Sequence, residues 1–334
     1  MTTENLIQAG QIQRAHLPPR NGNGKGARLT LPLIAEDYPA KTATMWNAAY
    51  AAFGMDAENM MVVARPENVS LILDTLRADP RYEGGGAGVG FKEAVVAQLD
   101  SVTPEARAIG AVNIIKKEGG MLVGDNTDGE GYAMSLAPLF SAQGETLSGK
   151  NILMLGAGGS GRAIAFALAR RGAHLTIANR TAPKAIELAE SINRSFETAQ
   201  AEGTGRDRIA EILPSQDAVV SVIDDAHSPL DAYSTLGPME LPITQESIAE
   251  NRASTEALLK HAKPGIIISD IRIRAHLVPM LAQAQALGFP TLDGIGMVIN
   301  QGVAAFWWLY GDQLTTRGKE ISDVQRVMDA AARA

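Results

Sequence analysis

Gly156, Gly158 and Gly161 stand in a G-x-G-x-x-G spacing, within Gly156-Ala157-Gly158-Gly159-Ser160-Gly161. No other stretch of the chain suggests chemistry so directly. The first glycine of such a pattern permits a tight turn, the second lets backbone approach a diphosphate, and the third lets a helix pack close on a sheet. The pattern is preceded by an apolar run, Ile152 to Leu155, and followed by a helix-forming segment, Arg162 to Arg171, with Gly172 as its stop. A second apolar run, Leu175 to Ala178, comes next. Strand, glycine turn, helix, strand is the unit that presents helix N-terminal N–H groups, here those of Gly158, Gly159, Ser160 and Gly161, to a dinucleotide diphosphate. Asn179-Arg180-Thr181 ends the second run, with Lys184 soon after, where an NAD site usually carries Asp or Glu for the ribose 2′-OH. A guanidinium stacks on adenine and pairs with a 2′-phosphate, so NADP is expected rather than NAD.

A second glycine-rich stretch occupies 84–90, where five of seven residues are glycine. Side-chain packing offers no account of such a run. Two readings stand: close approach of a ligand to backbone, or a mobile surface loop.

The elements that must position these stretches alternate between strand and helix. Leu29 to Ala35 reads as a strand ending in a Pro39 turn, Thr42 to Phe53 as a helix stopped by Gly54, Met60 to Ala64 as a strand, and Glu67 to Arg77 as a helix. Lys92 opens a predicted helix through Leu99, and a Lys117-Glu118-Gly119-Gly120 turn closes a hairpin. Beyond the glycine turn come a helix from Ala182 to Ser195, strands at 217–223 and 266–273, a helix from Leu277 to Ala286, a short strand to Leu292 and an apolar helix from Gly296. Such alternation is an α/β pattern with parallel sheets.

The length of 334 residues accommodates two domains, and 46% hydrophobic with 20% charged residues is a globular composition. A net charge of −7, with no basic run among aromatics, argues against nucleic acid as a partner. The absence of cysteine excludes thiolate catalysis and cysteine-held zinc. The five histidines, scattered without metal-ligand spacing, give no reason to expect a metal. No apolar stretch reaches the roughly 20 residues needed to span a bilayer, and the N-terminal residues lack a secretory apolar region, so a cytoplasmic protein is expected. Residues 1–27, with Pro18-Pro19 and Asn21 to Gly26, read as a flexible leader.

Several islands together resemble the shikimate and quinate dehydrogenases, over about residues 30 to 310. They are Met45-Trp46-Asn47-Ala48-Ala49 against that family's M-H-N-A, Lys92-Glu93-Ala94 against P-H-K-E-A, Ala108 to Asn113, and Asn126-Thr127-Asp128-Gly129. The glycine turn with Asn179-Arg180-Thr181, and Asp293-Gly294-Ile295-Gly296-Met297 with Gln301, complete the set. The resemblance implies an N-terminal α/β substrate domain (28–130 and 297–334), a Rossmann-type, doubly wound NADP-binding domain (131–296), and a C-terminal helix returning to the first domain. It further implies a catalytic pair, Lys92 and Asp128, with Asn113 and Gln301 beside the substrate and Gly294 and Met297 beside the cofactor. The chemistry suits those types: an alcohol that loses hydride must also lose its hydroxyl proton, and a partly desolvated lysine next to a carboxylate can exchange it.

The departures concern the substrate. Ala40-Lys41-Thr42-Ala43 replaces the family's S-x-S-P, leaving Thr42 as the one hydroxyl. Gly86 to Lys92 replaces N-V-T-V-P-H-K, so both hydroxyl-binding side chains become glycine; Ile273 stands for a tyrosine and Ser221-Val222-Ile223 for N-A-T. Lost partners for substrate hydroxyls are costly, so a small, anionic cyclic acid other than shikimate is expected. By strand alternation Arg272 and Arg274 share a face, as candidate carboxylate ligands. Oxidation of an amine or a methylene-folate carbon, and a catalytically silent NADP-binding regulator, are the alternative functions. A monomer or homodimer is expected.

Overall fold

The computed structural model describes residues 5–6, 11–14, 27–36, 41–88, 90–224, 227–231, 236, 244–274 and 276–334. Pro18-Pro19, Asn21 to Gly26, Pro39, Ala40 and Val89 lie outside them. The chain divides into two compact units, Met1–Thr127 with Ile299–Ala334, and Asp128–Val298.

The second unit is built on six strands that pair in parallel throughout. Across the sheet they run Gln200–Thr204, His174–Ala178, Asn151–Leu155, Ala218–Ser221, Ile267–Asp270 and Thr291–Leu292. The chain therefore starts in the middle, winds out to one edge, and returns to fill the other. That is the doubly wound Rossmann order, with its crevice at the carboxyl ends of the strands where the order reverses. Strands covered on both faces need near-continuous apolar runs, and Ile152 to Leu155 and Ala218 to Val220 are fully buried. Helix Asp128–Ser141 packs on helix Gly159–Arg170 at a crossing that only glycine allows. A β-carbon on Gly129 would lie 2.1 Å from the Ala163 carbonyl oxygen.

Two parts of this unit depart from expectation. Strand Gln200–Thr204 was not foreseen, and its Gly203 lies against the backbone of Ala185 and Ile186. The sequence of residues 224–260 reads as loop-like with helical portions, and the described residues there include a 16-residue helix, Gln245–Lys260. Leu230 and Leu236 join the core, and buried Asp231 accepts a 2.6 Å hydrogen bond from Thr255.

The first unit has a mixed sheet in the order Ala57–Asn59, Arg28–Thr30, Tyr82–Gly86, Ile114–Glu118, Met121–Asp125, Ser101–Val102. Adjacent residues Ile114 and Ile115 belong to different apolar clusters, which marks the sheet's two faces. On one lie Leu29, Leu73, Tyr82 and Phe91; on the other Trp46, Tyr50, Phe306, Val324 and Met328, from helices Lys41–Ala52, Ile295–Thr315 and Ile321–Arg333.

The glycine run begins within a strand. Gly84 to Gly86 are strand residues, and packing does explain the first two. A β-carbon on Gly84 would meet the Ile115 carbonyl oxygen at 2.1 Å, and one on Gly85 the Leu31 backbone at 2.5 Å. Both also have positive φ, +146° and +152°. Residues 91–99 contain a single 3₁₀ turn, Val96–Gln98, instead of the expected α-helix.

The leader also needs correction. Leu6 and Ile12 are buried in the core, and Ile12–Arg14 pairs antiparallel with strand Val62–Ala64, whose other neighbour is Leu33–Ile34. Leu29 to Ala35, expected as one strand, is thus two short strands in different sheets.

Candidate active site

In the first unit a buried polar cluster forms where the strands end. Asn113 directly precedes strand Ile114–Glu118, and its backbone N–H donates to the Asp125 carbonyl at 3.0 Å. Its side-chain oxygen accepts from the Thr127 N–H at 2.8 Å, while its amide nitrogen donates to Thr127 Oγ1 at 3.1 Å and to Gln301 Oε1 at 3.3 Å. The Thr127 hydroxyl donates to the Gln301 carbonyl at 3.1 Å. Asn126 in turn donates to the Ala111 carbonyl at 3.0 Å. Lys92 is half-buried, and its carbonyl accepts from Val112 N–H at 2.8 Å, which anchors it one residue from Asn113. Asp128 follows Thr127 directly, is buried, and opens helix Asp128–Ser141.

Asn113 and Gln301 are thus assembled around Thr127, a residue of the Asn126-Thr127-Asp128-Gly129 island to which the sequence alone assigns no role. Its signal was the run Asn126-Thr127-Asp128, three polar residues between a strand and a helix. Thr42, half-buried, lies in the first turn of helix Lys41–Ala52.

In the second unit the glycine turn shows the expected division of roles. A β-carbon on Gly156 would lie 2.9 Å from Val222 Cγ2, and one on Gly161 2.8 Å from the same methyl and 3.0 Å from the Gly156 carbonyl oxygen. Gly158 and Gly159 face open space, with nothing within 4 Å of an added β-carbon. The helix begins at Gly159 with no side-chain cap on it. An open glycine floor at an uncapped helix N-terminus fits a diphosphate, so the residues present suit a dinucleotide. Asn179, Arg180, Thr181 and Lys184 follow strand His174–Ala178 at its carboxyl end. The Asn179 amide donates to the Thr181 carbonyl at 3.1 Å, holding the turn, while Arg180, Thr181 and Lys184 are exposed. Val222 and Ile223, where the family has N-A-T, form an apolar wall against Gly156. Gly294 has a packing reason of its own: a β-carbon would strike the Ile271 carbonyl oxygen at 1.9 Å. Met297 is buried.

The two arginines need separate treatment. They line one cavity with Ile273, His276 and Asp293. Arg272, however, is bound to Asp270 through Nε to Oδ1 at 2.8 Å and Nη2 to Oδ2 at 2.6 Å, both side chains being buried. The buried carboxylate of Asp270 takes the Nε–Nη2 edge of the guanidinium in a bidentate pair, so the structure gives Arg272 an internal partner. Arg274 pairs with Asp224 at the surface.

Residues 39–115 match the model of the shikimate dehydrogenase substrate binding domain, and residues 139–233 that of shikimate / quinate 5-dehydrogenase. The shikimate dehydrogenase (NADP(+)) of Desulfitobacterium hafniense is 33% identical over 266 residues, 79% of this chain and 86% of that one. Among solved structures, shikimate dehydrogenase from Aquifex aeolicus superposes with a TM-score of 0.68 at 26% identity, covering 92% of this chain and 98% of its own. The ligand-free 5-ketofructose reductase of Gluconobacter sp. strain CHM43 superposes with a TM-score of 0.66 at 27% identity, covering 92% and 99%. The glycine turn, the Asn113–Thr127–Gln301 cluster and these matches agree: the chain belongs to the shikimate dehydrogenase family of NADP-dependent oxidoreductases.

Proposed function

We propose that the chain transfers hydride between NADP(H) and the hydroxy or oxo group of a small anionic cyclic acid other than shikimate, in the cytoplasm. The observation that carries the substrate half is at Gly86. A β-carbon there meets only the Asn113 carbonyl oxygen and Pro32 Cβ, each at 3.5 Å, and φ is not positive. A side chain therefore fits beside Asn113, where the family carries asparagine, yet the chain has none. Hydroxyl recognition has been removed at a place where the fold did not require it. The Gluconobacter structure, a 5-ketofructose reductase, is a precedent for a carbonyl substrate other than shikimate on this fold.

The nicotinamide, when bound, supplies the hydride acceptor or donor. Lys92 exchanges the proton of the reacting oxygen, in its ammonium form stabilising negative charge as the C–O bond order changes. Asp128 keeps that lysine charged and oriented, and Asn113 and Gln301, fixed through Thr127, hold the substrate's polar groups. Arg180 and Lys184 meet the 2′-phosphate.

Steady-state hydride transfer with shikimate, quinate and a panel of cyclic hydroxy acids and their oxo forms tests this reading. Turnover of a panel member at a kcat/KM well above that for shikimate supports it; shikimate as the best substrate would end it. Two variants sharpen the result. Gly86→Asn is expected to raise kcat/KM for shikimate by about tenfold, the worth of roughly one regained hydrogen bond. Arg180→Ala is expected to raise KM for NADP about tenfold while leaving KM for NAD within twofold, because only the 2′-phosphate loses a partner.

A further inference from the structure

Gly129 follows Asp128 directly, at the point where helix Asp128–Ser141 crosses helix Gly159–Arg170. A β-carbon there would stand 2.1 Å from the Ala163 carbonyl oxygen, 2.7 Å from the carbonyl carbon and 2.9 Å from Ala167 Cβ. Two of these are backbone atoms, which no change of rotamer moves aside. An ordinary carbon–oxygen contact is about 3.3 Å, so any side chain at this position must open the crossing by about 1 Å.

Burial decides which helix gives way. Ala163 to Leu168 are each no more than 1% exposed, so helix Gly159–Arg170 is held by the core along most of its length. The displacement therefore falls on the first turn of helix Asp128–Ser141, and Asp128 is the first residue of that turn. Its other chain neighbour, Thr127, is held by Asn113 and by the Gln301 carbonyl, so backbone on that side is not free to absorb the change.

Glu130, the next residue, grips the far end of the same helix. Its two carboxylate oxygens accept separately, one from Arg170 Nη2 at 2.8 Å and the other from Arg171 Nη2 at 2.5 Å. With the Glu130 side chain 30% exposed, these pairs add little stability. Two donors on separate oxygens do fix a direction, however, and they hold the first turn against rotation about its axis. Gly129 thus sets how close that turn approaches helix Gly159–Arg170, and Glu130 sets how it is turned. The diphosphate floor, Gly158 to Gly161, begins the same helix, with Ala163 one turn beyond Gly159.

We propose that Gly129 and Glu130 are positioning residues for the proton step, fixing the Asp128 carboxylate against the helix that receives the dinucleotide. Both act through Asp128, and their role rests on the part given to that residue above.

Steady-state rates with the panel member turned over fastest test this in two backgrounds. Gly129→Ala is expected to lower kcat about 10- to 100-fold, as a misplacement of about 1 Å can, while KM for NADP stays within about threefold. Glu130→Gln, which keeps the volume and removes the charge, should lower kcat about threefold or more. In a chain already carrying Asp128→Asn, either change should cost less than about twofold further, because no carboxylate is left to place. Equal fold losses in both backgrounds would make these contacts packing alone and overturn the assignment, as would wild-type kcat in Gly129→Ala. Wild-type kcat in Asp128→Asn by itself is a different failure: it removes Asp128 from the proton step and the assignment with it. Circular dichroism checks the fold of each variant, and if Gly129→Ala does not fold, Glu130→Gln in the two backgrounds decides alone.

Discussion

Lys92→Ala is expected to lower kcat with the best substrate on the order of 10²–10⁴-fold, the range that positioned acid–base groups contribute. NADP affinity should stay within about twofold, because the glycine turn that holds the diphosphate belongs to the other compact unit. The reason for so large an effect lies in the proton balance. Hydride departure without a group to take the hydroxyl proton leaves a cationic carbonyl, and hydride arrival without a proton source leaves an alkoxide. In the proposed reaction Lys92 meets both needs, from a half-buried position whose backbone is held through Val112, next to Asn113. Single-turnover rates followed by NADPH absorbance, across pH, separate this role from simple substrate binding. The variant should lose the pH dependence that the lysine imposes, as well as its rate. A kcat within threefold of wild type would remove Lys92 from the proton step and leave it a binding residue.

Arg272→Ala is expected to destabilise the chain by about 3–5 kcal/mol, the usual result of stranding one member of a buried ion pair. Asp270 is fully buried at the end of strand Ile267–Asp270 and accepts the Arg272 backbone N–H as well as both ends of its guanidinium. Removal of the side chain leaves a carboxylate with neither water nor a cation. Asp270→Asn/Arg272→Met, which removes both charges at similar volume, should recover most of the loss. Thermal unfolding of the two variants checks the pair together. Equal destabilisation by the single and double changes would mean that packing, and not charge, holds Arg272 in place.

That pair also shows where sequence reading stopped short. Alternation over an expected strand to 273 put Arg272 and Arg274 on one face, but the strand ends at Asp270, and Ile273 between them lines the same cavity. The same parity puts Asp270 on that face too, and a partner two residues away was there to be read. The glycine turn was legible because the strand before it and the helix after it are its sequence neighbours, although the Val222 methyl against which both Gly156 and Gly161 pack comes from the end of a later strand. Glycines 84 and 85 were not, because the Ile115 and Leu31 backbones that exclude a side chain come from strands about 30 and 50 residues away. Likewise Thr127 gained its function only when folding brought Asn113 and Gln301 to it, from 14 residues before and 174 after. Lys92 and Asp128 were reached through resemblance, since neither has a local pattern that separates it from a solvated lysine or a helix-capping aspartate.

The N-terminal arm has a consequence for solubility. Strand Val62–Ala64 is three apolar residues long, and its partner on one side is Leu33–Ile34. Without Ile12–Arg14 on its other side, it would offer a row of N–H and C=O groups flanked by buried-type side chains, a template on which another copy could add a strand. The arm occupies that edge from within the same chain and anchors itself with Leu6 and Ile12. As long as those anchors stay apolar and the pairing residues extended, the chain keeps a self-supplied guard against edge-to-edge aggregation.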